Sequence, residues 1–139
     1  MKKNKRLRII IVLILTLVIG FLLYFIYSEK PFKTIDANEI EEIKVFAIPP
    51  EKEVVLSEAE VEKIIPLLQN LKTSKPGYKT SALAGQTVRI TVQKKDGTII
   101  EIFNVGNVQI IINDRSYRAD YESAEAINNF ANKVLETGY

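Results

Sequence analysis

Residues 9–27 have the sequence IIIVLILTLVIGFLLYFIY, and this stretch decides how the chain is organised. It contains no charged residue, and only Thr16 and Gly20 interrupt the large apolar side chains. A helix of this length rises about 28 Å, which matches the hydrocarbon core of a bilayer at about 30 Å. The stretch is therefore predicted to be a transmembrane helix that anchors everything downstream.

A basic cluster directly before this span predicts its orientation. Its five cations are Lys2, Lys3, Lys5, Arg6 and Arg8. Lys and Arg beside a span are retained on the cytoplasmic side of the membrane, where they also contact anionic lipid. Residues 1–8 are therefore predicted to be a cytoplasmic tail, and the C-terminal part is predicted to be extracytoplasmic behind a single-pass helix.

A cleaved signal peptide is the main alternative for the same stretch, since it also combines a basic start with an apolar run. Signal peptides have a shorter apolar region of ~7–15 residues and end in small residues at the cleavage site. Here the run is longer and ends in Leu23-Tyr-Phe-Ile-Tyr27, and no A-x-A-like site follows. An uncleaved signal anchor is the better interpretation.

The charge balance changes sign across the chain. The full sequence has a net charge of +2, but residues 31–139 hold 13 Lys/Arg and 16 Asp/Glu. The part beyond the span is mildly acidic, so the composition does not indicate nucleic-acid binding. The chain also lacks Cys, so a domain outside the cytoplasm must be held by its core alone. That is typical of a bacterial cell envelope, especially a Gram-positive one.

The remaining chain is predicted to be a tether over residues 28–38 and one α+β domain over residues 39–139. A helical turn is expected around 37–42. Helices are predicted at 57–72, with a Ser57/Glu60 capping box, and at 122–136, capped by Asp120 or Ser123. Pro66 should bend the first of these. Strands are predicted at 43–48, 53–56, 87–93, 98–105, 108–112 and 116–119.

The hairpin around Asp96-Gly97 allows the register to be predicted. A two-residue loop would place Glu101 opposite Val92, next to core positions. A three-residue loop with Gly97 in a left-handed conformation pairs Val92 with Ile100 and keeps one face apolar. We therefore expect an antiparallel sheet of about five to six strands, with two helices packed on one face.

The opposite face of this sheet is also predicted to be partly apolar. Neighbouring residues in a strand face opposite sides, so at least one side chain of Ile110-Ile111-Ile112 must lie away from the main core. Phe103 and Val105 are candidates to join it. Either another segment covers this second face, or it is an exposed binding surface.

The loop predicted over residues 74–86 has two interpretations. Tyr78, flanked by Lys75 and Lys79, is suited to stack on a glycan or pack against a partner, and long loops are often functional. The alternative is a mobile connector with Tyr78 folded onto the core.

Part of the sequence resembles a known kind of domain. The run EEIKVFAIPPEKEVVLSEAEVEKIIPLLQNLK, the KKDGT hairpin, the GN turn and the YRAD-helix ending are similar to small extracytoplasmic domains of uncharacterised Firmicutes proteins. The resemblance covers roughly residues 39–136 and implies a cell-envelope location, with no known active residues. Members with a lipid tail have a lipobox Cys that this chain lacks, so its anchor would be the helix.

The residue set gives little support to catalysis. With no His and no Cys, the usual metal sites, Cys nucleophiles and Ser-His-Asp triads are excluded. A Ser–Lys pair among Ser74, Lys75, Lys79 and Ser81 is the one enzymatic route left, but it lacks the S-x-x-K spacing. We expect no enzyme activity, no metal and no cofactor.

The sequence therefore predicts a membrane-anchored envelope protein whose outer domain binds a protein or a cell-wall polymer, besides the lipid bilayer that holds its helix. The predicted partner-binding residues are Tyr78, Lys79, Phe103 and Ile111. The alternative is a structural accessory subunit of a membrane complex that acts through its transmembrane helix.

Overall fold

The computed structural model of the chain describes residues 2–26, 28–79 and 84–138. Its first element is α1 (Lys2–Ile26), which includes the basic cluster. Within the described residues, α1 is the one helix long and apolar enough to cross a membrane, and no part of Asn4–Leu23 is buried against the rest of the chain. Lys5, Arg6 and Arg8 are exposed on its first turns.

The segment that follows α1 is docked on the domain. Glu29 and Thr73 exchange two backbone hydrogen bonds, with N···O distances of 2.7 and 2.8 Å. Phe32 and Ile35 are buried in the core. A single 3-10 turn, Ala37–Glu39, then forms as expected, with the Asp36 side chain accepting from the backbone N–H of Asn38. The residues predicted to be a tether therefore contribute core side chains.

The rest of the chain forms an α+β domain, as the sequence predicted. Its sheet has seven strands in the order β2-β1-β4-β5-β6-β7-β3, and every neighbouring pair is antiparallel. The elements are β1 (Ile40–Ile48), β2 (Lys52–Val55), α2 (Glu58–Asn70), β3 (Thr73–Pro76), β4 (Thr87–Lys94), β5 (Ile99–Val105), β6 (Gln109–Ile112), β7 (Arg115–Ala119) and α3 (Tyr121–Thr137).

The seventh strand, β3, corrects the predicted count of five to six strands and the start of the predicted loop. Residues 73–76 have the sequence TSKP, with no alternation of apolar residues to indicate a strand. They pair with β7 at the edge of the sheet, Thr73 opposite Ala119 and Pro76 opposite Tyr117. Pro is tolerated there because an edge strand does not need every N–H in the ladder.

The β4–β5 hairpin has the predicted register. Val92 pairs with Ile100 and Ile90 with Ile102, and Gly97 has a φ of 87°. The backbone N–H of Thr98 donates to the Asp96 carboxylate at 2.9 Å. Hydrogen bonds from the Thr98 backbone and hydroxyl hold the pKa of Asp96 below its ordinary value. Asp96 is therefore a turn residue, as its sequence position indicates.

The core lies between one face of the sheet and the two helices α2 and α3. The capping box of α2 is formed as predicted, and Ile64, Ile65, Leu68 and Leu71 are buried. Pro66 faces solvent, and α2 continues through it as one helix. The buried side chains of α3 are Ala124, Ile127, Ala131, Val134 and Leu135.

Both ends of α3 are satisfied by side chains. The Asp120 carboxylate caps its first turn by accepting from the backbone N–H of Ser123 at 3.1 Å. At the other end, the Lys52 ammonium donates to the Leu135 carbonyl at 2.6 Å. A cation at a helix C-terminus is favourable because the last carbonyls carry partial negative charge.

Candidate functional site

The face of the sheet opposite α2 and α3, which we call the open face, carries a continuous row of cross-strand neighbours. Antiparallel register places six residues side by side across β2, β1, β4, β5, β6 and β7. Residues directly opposite each other in antiparallel strands have their side chains on the same face, so all six lie on one face of the sheet. We call this set the Arg89 row; it consists of Glu53, Phe46, Arg89, Phe103, Ile111 and Ser116.

Arg89 lies near the middle of the row. Its Cζ is 4.9 Å from the centroid of the Phe46 ring, within range of a cation–π contact. Its Nη2 lies 3.3 Å from Oε2 of Glu53, in an ion pair whose side chains are both more than a third exposed. The Nε of Arg89 is buried without a hydrogen-bond partner among the described residues. The guanidinium is thus fixed on one side and retains unused donor capacity.

Phe103 and Ile111, two of the predicted partner-binding residues, are direct cross-strand partners in this row. Both are half-buried, and so are Phe46 and Val105 on the same face. Ile48 and Val55, also on this face, are more than half exposed. Among the described residues, no helix lies over this surface. The apolar second face predicted from the sequence is therefore present, with a cation at its centre.

The other two predicted residues, Tyr78 and Lys79, lie beside the end of the row. The Ser116 hydroxyl donates to the Tyr78 carbonyl at 2.5 Å, and the Ser116 carbonyl accepts from the Gly77 N–H at 2.8 Å. Gln109 in turn donates to the Ser116 hydroxyl at 2.5 Å. Tyr78 is half-buried and Lys79 is exposed. All four predicted residues thus lie in one region, linked through the strand pairing of Phe103, Ile111 and Ser116.

A groove of about 360 Å³ opens at this position. Its lining residues are Pro76, Gly77, Tyr78, Lys79, Asp114, Arg115 and Ser116. Of the predicted Ser–Lys pair, the structure describes Ser74, whose hydroxyl accepts from the backbone N–H of Arg118 at 2.9 Å. Ser81 and the Lys75 side chain lie outside the description, so that part of the prediction stays open.

A second groove, of about 530 Å³, lies between the 3-10 turn, β1, β2 and the start of α2. Four carboxylates line it, from Glu41, Glu42, Glu58 and Glu62, with the single cation Lys95. Glu42 is paired with Lys44 at 3.1 Å, and Glu41 accepts from Gln93 at 2.9 Å. The described residues contain no cluster of ligands suited to a metal ion. This groove is an acidic surface that sequence reasoning did not identify.

Sequence reasoning also missed Phe46 and Arg89. A signal for Phe46 was available, since the buried Ile43, Val45 and Ala47 leave Phe46 on the opposite face of β1. Arg89 was not identifiable in this way, because its contact with Phe46 depends on the non-local pairing of β1 with β4.

Fold and site together define an α+β domain behind an N-terminal apolar helix, with a mixed apolar and cationic face on its sheet. Comparison of the chain with protein-family models, curated proteins and solved structures found no match. The resemblance to small Firmicutes envelope domains therefore stays a prediction.

Proposed function

We propose that this protein is a single-pass, membrane-anchored envelope protein whose domain binds a protein or wall polymer through the open face. α1 is the anchor, its basic end lies in the cytoplasm, and the domain lies outside. The domain acts as a binding module and catalyses no reaction. The observation that carries the proposal is the Arg89 row, in which Phe103 and Ile111 stay partly exposed beside an arginine.

The chemistry of this row suits recognition. Aromatic and aliphatic surface supplies most of the binding energy in protein interfaces, and Arg and aromatic residues are enriched there. An aromatic ring beside a cation is also suited to a sugar ring that carries acidic groups. The ion pair to Glu53 leaves Arg89 partly exposed, so a partner's acceptor can reach the guanidinium.

The test is co-purification of the tagged full-length protein from its own membranes in mild detergent, with bound material identified by mass spectrometry. Phe103→Lys and Ile111→Lys should each abolish capture of a stoichiometric partner. Ile99→Lys is the matched control, because Ile99 lies on the same face and strand as Phe103 but outside the row, and it is 57% exposed. Binding to a wall polymer is measured in a parallel assay, in which the protein is sedimented with isolated cell wall.

Three results would count against the proposal. Equal loss in the Ile99→Lys control would mean that added charge on the face acts non-specifically. Unfolding of both Phe103→Lys and Ile111→Lys, seen by circular dichroism, would mean that the face is merely a second core. Retention of the partner in both folded variants would also exclude the Arg89 row.

The accessory-subunit alternative depends on α1. None of its residues Asn4–Leu23 is buried against the domain, so the helix can contact another membrane protein. Gly20 also has open space around it on the helix. Replacing residues 9–27 by polyleucine separates the two functions. Capture of the partner should survive the replacement if the domain carries the function. It should disappear if the helix carries the function.

A further inference from the structure

The connection between α1 and the domain is very short. The helix ends at Ile26, and Glu29, the third residue after it, is already hydrogen-bonded to Thr73 of β3. Three residues span at most about 11 Å, whatever their conformation. If α1 crosses a membrane, Thr73 must therefore lie close to the bilayer surface, and the edge of the sheet at β3 is the part of the domain nearest to lipid.

Three distant segments of sequence meet at this edge. Residues 28–33 arrive from α1 and pair with β3 through Glu29. Residues 72–79 contain β3 itself, and residues 114–122 contain β7, which is its neighbour in the sheet. The backbone N–H of Asp120 donates to the Lys72 carbonyl at 3.0 Å and closes the junction with α3. We call these three segments the β3–β7 edge.

The charge of the domain is divided between this edge and the remainder. The three segments contain seven Lys/Arg and four Asp/Glu, a net charge of +3. All other residues between 34 and 139 contain seven Lys/Arg and 13 Asp/Glu, a net charge of −6. Lys30, Lys33, Lys72, Arg115 and Arg118 are exposed. The cations of this acidic domain are thus concentrated where the chain leaves α1.

Tyrosine follows the same distribution. Tyr78, Tyr117 and Tyr121 all lie in the β3–β7 edge, and Tyr121 is 56% exposed. Tyr is enriched at membrane–water interfaces, because its ring prefers the apolar side and its hydroxyl the headgroups. Lys and Arg extend along such interfaces with their charge at the phosphates.

From this placement we infer that the β3–β7 edge is a lipid-binding surface that lies on anionic phospholipid headgroups next to the anchor. The inference depends on the membrane anchoring proposed above. It assigns Tyr78 and Lys79 to lipid and leaves the Arg89 row from Glu53 to Ile111 free for the partner. The acidic groove at Glu58 and Glu62 would then lie on the side repelled by an anionic surface.

The absence of cysteine makes a direct test possible. Glu122→Cys places a single label at the edge, and Lys95→Cys places one in the β4–β5 turn, about 30 Å from Thr73 along and across the sheet. The full-length variants are reconstituted into vesicles of phosphatidylcholine with phosphatidylglycerol. Fluorescence of each label is then measured with a paramagnetic ion chelated on the lipid headgroup.

We expect several-fold stronger quenching at position 122 than at position 95. The difference should shrink in vesicles of phosphatidylcholine alone. It should also shrink in the variant Lys72→Glu/Arg118→Glu, whereas the control Lys63→Glu/Lys133→Glu, with the same change of net charge, should leave it intact. Circular dichroism checks that each variant is folded.

Equal quenching at the two positions, or stronger quenching at position 95, overturns the inference while the anchoring stands. Co-flotation with the vesicles is measured first, and failure to co-float would overturn the anchoring and the inference together. If the label at position 122 is shielded from solvent in native membranes but not in lipid vesicles, the edge would be assigned to a protein partner. That result would likewise overturn the inference.

Discussion

The guanidinium of Arg89 lies over the ring of Phe46, with its Cζ 4.9 Å from the ring centroid, although the two residues are on different strands. This contact turns two half-buried side chains into one rigid element at the centre of the open face. It also orients the guanidinium, so a partner meets a cation whose position is already fixed.

A double-mutant cycle should detect this contact. Phe46→Leu and Arg89→Met, alone and combined, should give a coupling free energy of about 0.5–1 kcal/mol, the range for partly exposed cation–π pairs. The measurement is urea unfolding of the full-length protein in detergent micelles. The parallel cycle of Arg89→Met with Glu53→Gln should give less, because exposed ion pairs are weak. Additive effects of Phe46→Leu and Arg89→Met would contradict the contact.

Truncating one side chain on each face of the sheet should show how differently the two faces are packed. Ile90 on β4 is fully buried, so Ile90→Ala should lower the free energy of unfolding by about 2–5 kcal/mol through lost burial and a cavity. Ile99→Ala, at an exposed position, should change it by about 0.5 kcal/mol or less. Similar losses for both variants in urea unfolding would show that the open face is as tightly packed as the core.

Two glycines allow backbone strain to be separated from close packing. Gly97 and Gly106 both have positive φ, 87° and 58°. A Cβ at Gly97 meets nothing within 4 Å, whereas a Cβ at Gly106 would collide with the Ala84 carbonyl oxygen. Gly97→Ala should therefore cost about 1–2 kcal/mol from the left-handed conformation alone.

Gly106→Ala should lower the free energy of unfolding further than Gly97→Ala, because the Ala84 backbone has to move. The comparison uses thermal or urea unfolding of both variants under one condition. Equal losses would place the Ala84 segment away from Gly106.

The Asp96 carboxylate predicts a pH dependence of stability. Hydrogen bonds from Thr98 lower its pKa in the folded state, so its contribution is present above the unfolded pKa of about 4 and is lost as pH falls through the folded value. Asp96→Asn should therefore be less stable than the wild type at neutral pH. The difference should disappear at acidic pH, below the folded pKa.

The check is urea unfolding of both proteins at neutral pH and at several acidic pH values, with the Asp96 titration followed by NMR. A difference in stability that stays constant with pH would mean that the carboxylate charge contributes nothing. A folded pKa at or above the ordinary Asp value would contradict the hydrogen bonds at the turn.

Local patterns were sufficient to predict much of this fold. Asp96-Gly97 and the alternation around Ile90 determined the hairpin register, and the Ser57 capping box marked the start of α2. These features depend on residues a few positions apart. The apolar second face was predictable in the same way, because three consecutive isoleucines cannot all face one side of a strand.

The missed features all depend on contacts between distant segments. β3 has no strand pattern of its own and exists because β7 provides a partner. Phe32 and Ile35 stand alone in a polar stretch, so only the structure reveals that the core extends to them. The Arg89–Phe46 contact likewise required the sheet order, which places β1 beside β4.

The hydrogen bonds between Glu29 and Thr73 also limit how far the protein can reach. A domain of this size is about 35 Å across, and the chain between α1 and Glu29 adds at most about 11 Å. Once anchored, the protein samples only a shell of roughly 45 Å above the bilayer, instead of the wide volume that a long flexible stalk would allow. A partner can then be met only within this layer, and for a partner that also sits in the membrane the search is confined to two dimensions and depends on lateral diffusion.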